Sequence, residues 1–415
     1  VKRVLLISNG HGEDLSGALL AKALRRRGVE VEAMPLVGQG EAYRRADLPV
    51  LGPTRDFSTG GLGYTSLRGR LTEIRQGQLS YLLGRLRAVW QQRRHCDGVV
   101  VVGDVVSVLA GWLTARPMAV YLVAYSSHYE GRLRLPWPCG WLLRRPGVRL
   151  LWSRDSLTAM DLARQLRRPV EFVGNPFLEG GGSPDPLPPW TGDGPVLGLL
   201  PGSRLPEALA NLLLLLEVVC RLPAEWQGQL RLLAALVPSL APAVIARAAA
   251  PHGWTLTSST GKAGDIPQLR RGALRLELIR HHFWGVLRGS DLLLAMAGTA
   301  AEQAVALGKP VLQVVGAGPQ FTAGFADAQR RLLGPAVSCA PGPMGAASTL
   351  QETARMAAEQ LQRLADPVEG PRWREQLRKL ALERLGGPGG TDCMVEAIMT
   401  RLQPLNGPAD APSPR

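Results

Sequence analysis

The chain has 415 residues, of which 46% are hydrophobic and 20% charged. That is enough apolar material for the cores of two or three domains, and it excludes a globally disordered chain. The formal net charge is +14 and it is lopsided: residues 1–176 hold 26 Lys and Arg against 14 Asp and Glu, and the rest is nearly balanced. This points to an anionic partner for the first half, while five scattered cysteines with no C-x-x-C or metal-type spacing exclude a disulfide framework and a zinc site.

In chain order, Val1 opens directly on a strand pattern, Val-Lys-Arg-Val-Leu-Leu-Ile-Ser, and no leader peptide is expected before it. A turn, Asn9-Gly10-His11-Gly12, leads into a helix over residues 15–24 and a second strand over 29–35. Residues 64–94 read as a helix with Leu67, Leu71, Leu82, Leu86 and Trp90 beside many arginines. The run Gly98-Val99-Val100-Val101-Val102-Gly103-Asp104 does not alternate, as expected of a parallel strand buried on both faces. No apolar run reaches the roughly 18–20 residues of a spanning helix, since the longest, 99–113, is interrupted by Asp104. Strands follow at 119–123, 149–152 and 170–173, and between them residues 132–145 interleave Trp137 and Trp141 with Arg132, Arg134, Arg144 and Arg145.

Residues 177–195 are rich in Gly, Pro and Asp and read as a linker. A second strand–loop–helix unit then opens at Val196, with further strands expected at 230–234, 254–257, 292–295 and 310–315. The expected organisation is α/β, with two Rossmann-like doubly wound domains (1–176 and 196–365) facing each other across a cleft. Helices over 366–402 are expected to pack back on the first domain, and residues 403–415 to form a disordered tail.

Two segments carry the sharpest chemistry. In Leu200-Pro201-Gly202-Ser203-Arg204 a strand ends, a glycine permits close backbone approach, and a hydroxyl and a guanidinium stand at a helix start, which suits a diphosphate. In the segment 290–303 a buried strand runs through small residues into a helix. Amides at Gly298, Thr299 and Ala300 can cradle phosphate there, and Glu302 can take ribose hydroxyls or merely complement the helix dipole. Asp104 ends a central strand, where it can act as a general base or cap the next helix; His11 and Glu13 lie on the first strand–helix loop.

Taken together, these segments resemble the glycosyltransferase-B superfamily and, more narrowly, the lipid-A-disaccharide synthase-like family. Its L-P-G-S-R-x-x-E motif is matched at Leu200–Glu207, and its S-D-x-x-L-x-x-S-G-T-A-x-L-E at Ser290–Gln303, with Gln303 at the family's carboxylate. The family's first glycine loop is partly kept in Gly10, Gly12, Glu13 and Asp14, and Gly103-Asp104 and Phe172–Pro176 fit two further strand ends. The chain departs at Ser107, where the family has a second Asp, and at Ala124–Glu130, where it has paired tryptophans.

The resemblance implies an inverting transfer of a sugar from a UDP-sugar, with an acylglucosamine or N-acetylglucosamine donor, to a lipid-type or phosphorylated sugar acceptor, as in lipid A biosynthesis. It implies no metal and no cofactor beyond the donor. Asp104, His11 and Glu13 would be the catalytic groups; Gly202, Ser203, Arg204, Gly298, Thr299, Ala300, Glu302 and Gln303 would hold the nucleotide sugar; Gly10, Gly12 and Asp14 would form the acceptor loop. The basic, Trp-bearing segments 64–94 and 132–145 suit an anionic bilayer, so the expected location is cytoplasmic, on the inner face of a membrane. A UDP-sugar 2-epimerase-like enzyme and a non-catalytic nucleotide-sugar binder are the competing readings. Nucleic-acid binding has only charge behind it, and an NAD enzyme is opposed by the missing G-x-G-x-x-G.

Overall fold

The computed structural model describes residues 1–52, 54, 78–179, 186–187, 192–257, 266–316 and 322–402, with the backbone alone at His11, 78–80 and Glu130. The part of the basic helix expected over 64–77 and the tail expected over 403–415 lie outside the described residues. The chain divides into two compact units, residues 1–180 with 386 onward, and residues 181–385.

The first unit contains strands β1 (Arg3–Ser8), β2 (Glu30–Pro35), β3 (Gly98–Val102), β4 (Met118–Leu122) and β5 (Val148–Ser153) in the order β2-β1-β3-β4-β5. Every pairing is parallel. The valine run explains itself here: Val100 and Val102 enter one core with Leu6, Leu24 and Tyr121, while Val99 and Val101 enter the core on the opposite face with Ile7 and Val120. A strand covered on both faces has no polar side to alternate with.

The strand expected over 170–173 is not formed. Glu171 makes a single bridge to Trp152, because Pro169 offers no N–H and Gly174 turns the chain away at φ 103°. The terminal helices also divide differently from expectation. Glu369–Leu385 stays with the second unit, whereas Gly390–Arg401 returns to the first and buries Met394, Val395 and Ile398 against Val4 and Leu6. The break falls at Gly386-Gly387-Pro388-Gly389, which no helix can cross cheaply.

The second unit contains β6 (Val196–Leu200), β7 (Arg231–Ala235), β8 (Thr255–Thr257), β9 (Gln268–Arg271), β10 (Leu274–Ile279), β11 (Leu292–Ala295), β12 (Val311–Gln313) and β13 (Val337–Cys339). Their order is β13-β12-β11-β6-β7-β10-β9-β8. From β13 to β10 the sheet is parallel, but β10-β9 and β9-β8 are antiparallel, so the parallel sheet carries an antiparallel edge. Among the described residues, no helix is long and apolar enough to cross a membrane.

Each sheet reverses its direction of growth once. The first grows from β1 to β2 and then resumes on the other side at β3; the second grows from β6 through β7 to β10 and resumes on the other side at β11. Ligands of open α/β sheets bind outside the carboxyl ends of the strands at such a reversal. The loops after β1 and β3, and those after β6 and β11, are therefore where sites are expected.

Candidate functional site

In the second unit, strand register brings the two motifs together. Ala295 pairs with Leu200, and Met296 N–H donates to the Leu200 carbonyl at 2.8 Å, so Pro201–Arg204 and Ala297–Thr299 leave the sheet side by side. Gly202 stands at φ 96°, a conformation that L side chains rarely adopt, and a Cβ built on it would lie 3.4 Å from the Met296 carbonyl oxygen. Asn211, on the helix Glu207–Val219, holds this turn by donating to the Pro201 carbonyl at 2.9 Å. Ser203 is exposed and Arg204 half-buried.

The helix Gly298–Ala306 starts where the expected phosphate cradle lies. Its N-cap is Ala297, which makes no side-chain capping hydrogen bond, so the amides of Gly298, Thr299 and Ala300 are not capped from that position. Glu302 and Gln303 are only 7% and 5% exposed. Glu302 sits in the second turn, beyond the reach of a simple dipole complement, which acts within the first. Both residues have partners in the fold.

Sequence reasoning missed the layer that fixes this helix. Gln313, the last residue of β12, donates to Gln329 at 2.6 Å, and Gln329 donates to the Gly298 carbonyl at 2.7 Å. Both glutamines are buried, at 0% and 2% exposure. A Gln in a buried strand is the signal that could have found them. Gln329→Leu should cost about 1–3 kcal/mol of stability, because it strands the Gln313 amide in the core. Urea unfolding checks this, and a loss under about 0.5 kcal/mol would count against the chain.

In the first unit, the loops after β1 and β3 meet through side chains. Asn9 donates to Asp104 Oδ2 at 2.8 Å. Asp104 Oδ1 accepts from the Val106 and Ser107 amides at 3.0 and 3.2 Å, and the Ser107 hydroxyl receives the Asp104 N–H at 2.9 Å, closing a capping box on the helix Val105–Leu113. Of the two roles open to Asp104, the geometry is that of the cap: it is 4% exposed and both its oxygens accept hydrogen bonds within the fold. Ser107, standing where the related family has a second Asp, completes that cap.

Asp14 likewise turns inward. It accepts from Ser8 at 2.6 Å, and Ser8 accepts from Tyr43 at 2.7 Å, a buried relay beneath the loop rather than a ligand-facing carboxylate. His11 and Gly12 form the first turn of the helix His11–Arg26, and the His11 side chain lies outside the described residues. Glu13 alone of the nearby carboxylates lies over the glycines. Its Oε2 would be 2.5 Å from a Cβ built on Gly10, and its Cγ 3.4 Å from one built on Gly103. It is partly exposed, and it spans the loops after β1 and β3.

Burial raises the Asp104 carboxyl above the ordinary carboxylate range, and the bonds from Ser107, Asn9 and Val106 oppose this only in part. The fold therefore favours the protonated form, and that contribution to stability is full below the unfolded value of about 3.9 and lost as pH rises through the folded one. Asp104→Asn keeps the cap and removes the buried charge, and a flipped Asn9 amide could then use its otherwise unpaired Oδ1. The variant should gain stability relative to the parent as pH rises from about 4 to 7. Thermal melts across that range check this; a relative loss at neutral pH would contradict it.

No protein-family model matches the chain. Over 326 residues it is 26% identical to a lipid-A-disaccharide synthase of Myxococcus xanthus (strain DK1622), covering 75% of this chain and 74% of that protein. Among solved structures it is similar to a calicheamicin glycosyltransferase (TM-score 0.59, 20% identity, 96% of this chain and 98% of that one). It is similar also to a spinosyn rhamnosyltransferase complexed with thymidine diphosphate (TM-score 0.58, 19% identity, 96% and 100%). A UDP-N-acetylglucosamine 2-epimerase matches as well (TM-score 0.54, 16% identity, 96% and 96%). The chain thus has the glycosyltransferase-B fold of two Rossmann-like α/β domains, a fold that transferases and epimerases share.

Proposed function

We propose that the protein is an inverting glycosyltransferase that moves a sugar from a UDP-sugar to the hydroxyl of a lipid-type acceptor, related to lipid-A-disaccharide synthase. The observation that carries this reading is the meeting of Gly202–Arg204 with the uncapped start of the helix Gly298–Ala306 at the reversal point of the second sheet. Amides and a guanidinium suit a diphosphate, and the buried carboxylate of Glu302, one turn further on, suits ribose hydroxyls. The sequence similarity to a lipid-A-disaccharide synthase supports an N-acylated or N-acetylated glucosamine donor and a lipid acceptor.

Charge developing on the departing diphosphate would be met by Arg204 and the amides of Gly298, Thr299 and Ala300, with no reorganisation needed at the moment of reaction. On the first unit, Glu13 is the group we assign to take the acceptor proton, with His11 beside it in the chain, since Asp104 is committed to its cap. The epimerase-like match gives the competing activity, and one experiment separates the two. The purified chain is incubated with UDP-N-acetylglucosamine or its acylated analogues, with and without a bacterial lipid extract, and UDP and UDP-sugars are followed by mass spectrometry. UDP release that requires the extract is expected. Conversion of one UDP-sugar into its 2-epimer without an acceptor would replace this reading with the epimerase one.

A further inference from the structure

The opposite edge of the first sheet carries a different feature. The turn entering β5 and the residues that follow the helix Ser156–Leu166 line a pocket of about 840 Å³, with Arg144, Arg145, Arg149, Arg167 and Arg168 on its walls. A neighbouring pocket of about 760 Å³ shares Arg144 and adds Arg132 and Arg134. No carboxylate lines either pocket. Asp161, whose carboxyl is held low partly by Arg132, is already engaged by the Leu133 N–H, Ser127 and Gln165.

Seven guanidinium groups gathered with only Asp161 acting on one of them, Arg132, repel one another and weaken the fold. The second unit treats its arginines otherwise: Arg355 pairs with Glu352 and Glu359, Arg330 and Arg331 with Asp327, and Arg221 with Glu217. Among the described residues none of the seven groove arginines makes an ion pair, yet several are held in place. Arg168 donates to the Leu143 and Val148 carbonyls at 2.5 and 2.6 Å, Arg144 donates to the Gln165 carbonyl at 2.8 Å, and Arg145 stacks 3.7 Å from the Trp141 ring centre. Arg167 caps its helix at φ 54°, where glycine is the usual choice. Planar forks fixed around a concave space match phosphate oxygens, and five of them on one pocket call for more than one negative charge.

We propose that this groove is a second anion site, which binds a diphosphate or multiply phosphorylated group. It sits where β5 begins, whereas Glu13 sits where β1 and β3 end, so a strand length of roughly 17 Å separates the two edges. The anion can come from a soluble phosphorylated molecule or from phosphorylated headgroups of a bilayer.

The test uses the full chain with R145A/R149A/R167A, which spares the backbone-held Arg144 and Arg168. Calorimetry with pyrophosphate, run in an Arg204→Ala background that weakens the diphosphate site of the second unit, should show binding that the triple variant weakens at least tenfold and that falls with added salt. UDP affinity should stay the same. R145K/R149K/R167K, which keeps the charge but not the planar fork, should retain only part of the binding, and it answers the question if the alanine variant fails to fold. Co-sedimentation with phosphatidylglycerol vesicles, lost in the same variant, assigns the site to headgroups; pyrophosphate binding without vesicle binding assigns it to a soluble ligand. Equal pyrophosphate affinity in parent and both variants, or binding of neither pyrophosphate nor vesicles, overturns the proposal.

Discussion

Glu13→Gln is expected to lower turnover by roughly 10²–10⁴-fold, the usual worth of a general base, while UDP affinity stays at the parent level. Among the described residues, Glu13, Asp14 and Asp104 are the carboxylates just after β1 and β3, and the structure separates their roles. Asp14 accepts from Ser8 in a buried relay, and Asp104 spends both oxygens on Asn9 and on the helix it caps. A carboxylate only 3–4% exposed and already engaged within the fold is poorly placed to receive an acceptor proton. Glu13 is the carboxylate over Gly10 and Gly103, two glycines whose missing side chains leave it room. The paired control is Asp104→Asn, which should stay within about tenfold of the parent, far less than the loss of a base. If the two variants exchange these outcomes, the base is Asp104 and the capping box is incidental. If neither loses more than tenfold, His11 takes the role.

Arg204→Ala is expected to weaken UDP binding by about 1.5–3 kcal/mol, the range of a charge-assisted hydrogen bond, or roughly 10- to 150-fold in Kd. The side chain is half-buried at the end of β6, next to Gly202, so its fork acts where water is partly excluded. Arg204→Lys should recover only part of the loss, because an ammonium keeps the charge but not the planar bidentate geometry. Uridine without phosphates should bind parent and variant alike. Calorimetry with UDP, UMP and uridine reads all three, and an unchanged UDP affinity in Arg204→Ala would remove the diphosphate assignment.

The sequence by itself determined the two-part α/β plan and the segments that end its central strands. Both are local properties: the Val99–Val102 run shows burial on two faces without any partner being known, and Gly202 or Gly298 before a helix marks an uncapped amide cluster wherever the strand lies. The terminal helices over 366–402 were legible too, but not the break at residues 386–389 that divides them between the units. What those helices pack on was not legible. The return of Met394, Val395 and Ile398 to the first core depends on contacts with Val4 and Leu6, almost four hundred residues earlier.

The same distance in sequence hid the division of labour among carboxylates. Asp104 as base and Asp104 as cap have one sequence, and only the positions of Asn9 and Ser107 decide between them. The Gln313–Gln329–Gly298 chain and the arginine groove were hidden for the same reason. Each gathers side chains from elements that strand order, not chain order, makes neighbours. Periodicity reports which face of an element is buried; it carries no record of what lies against that face, and the polar groups that decide chemistry are chosen by their neighbours.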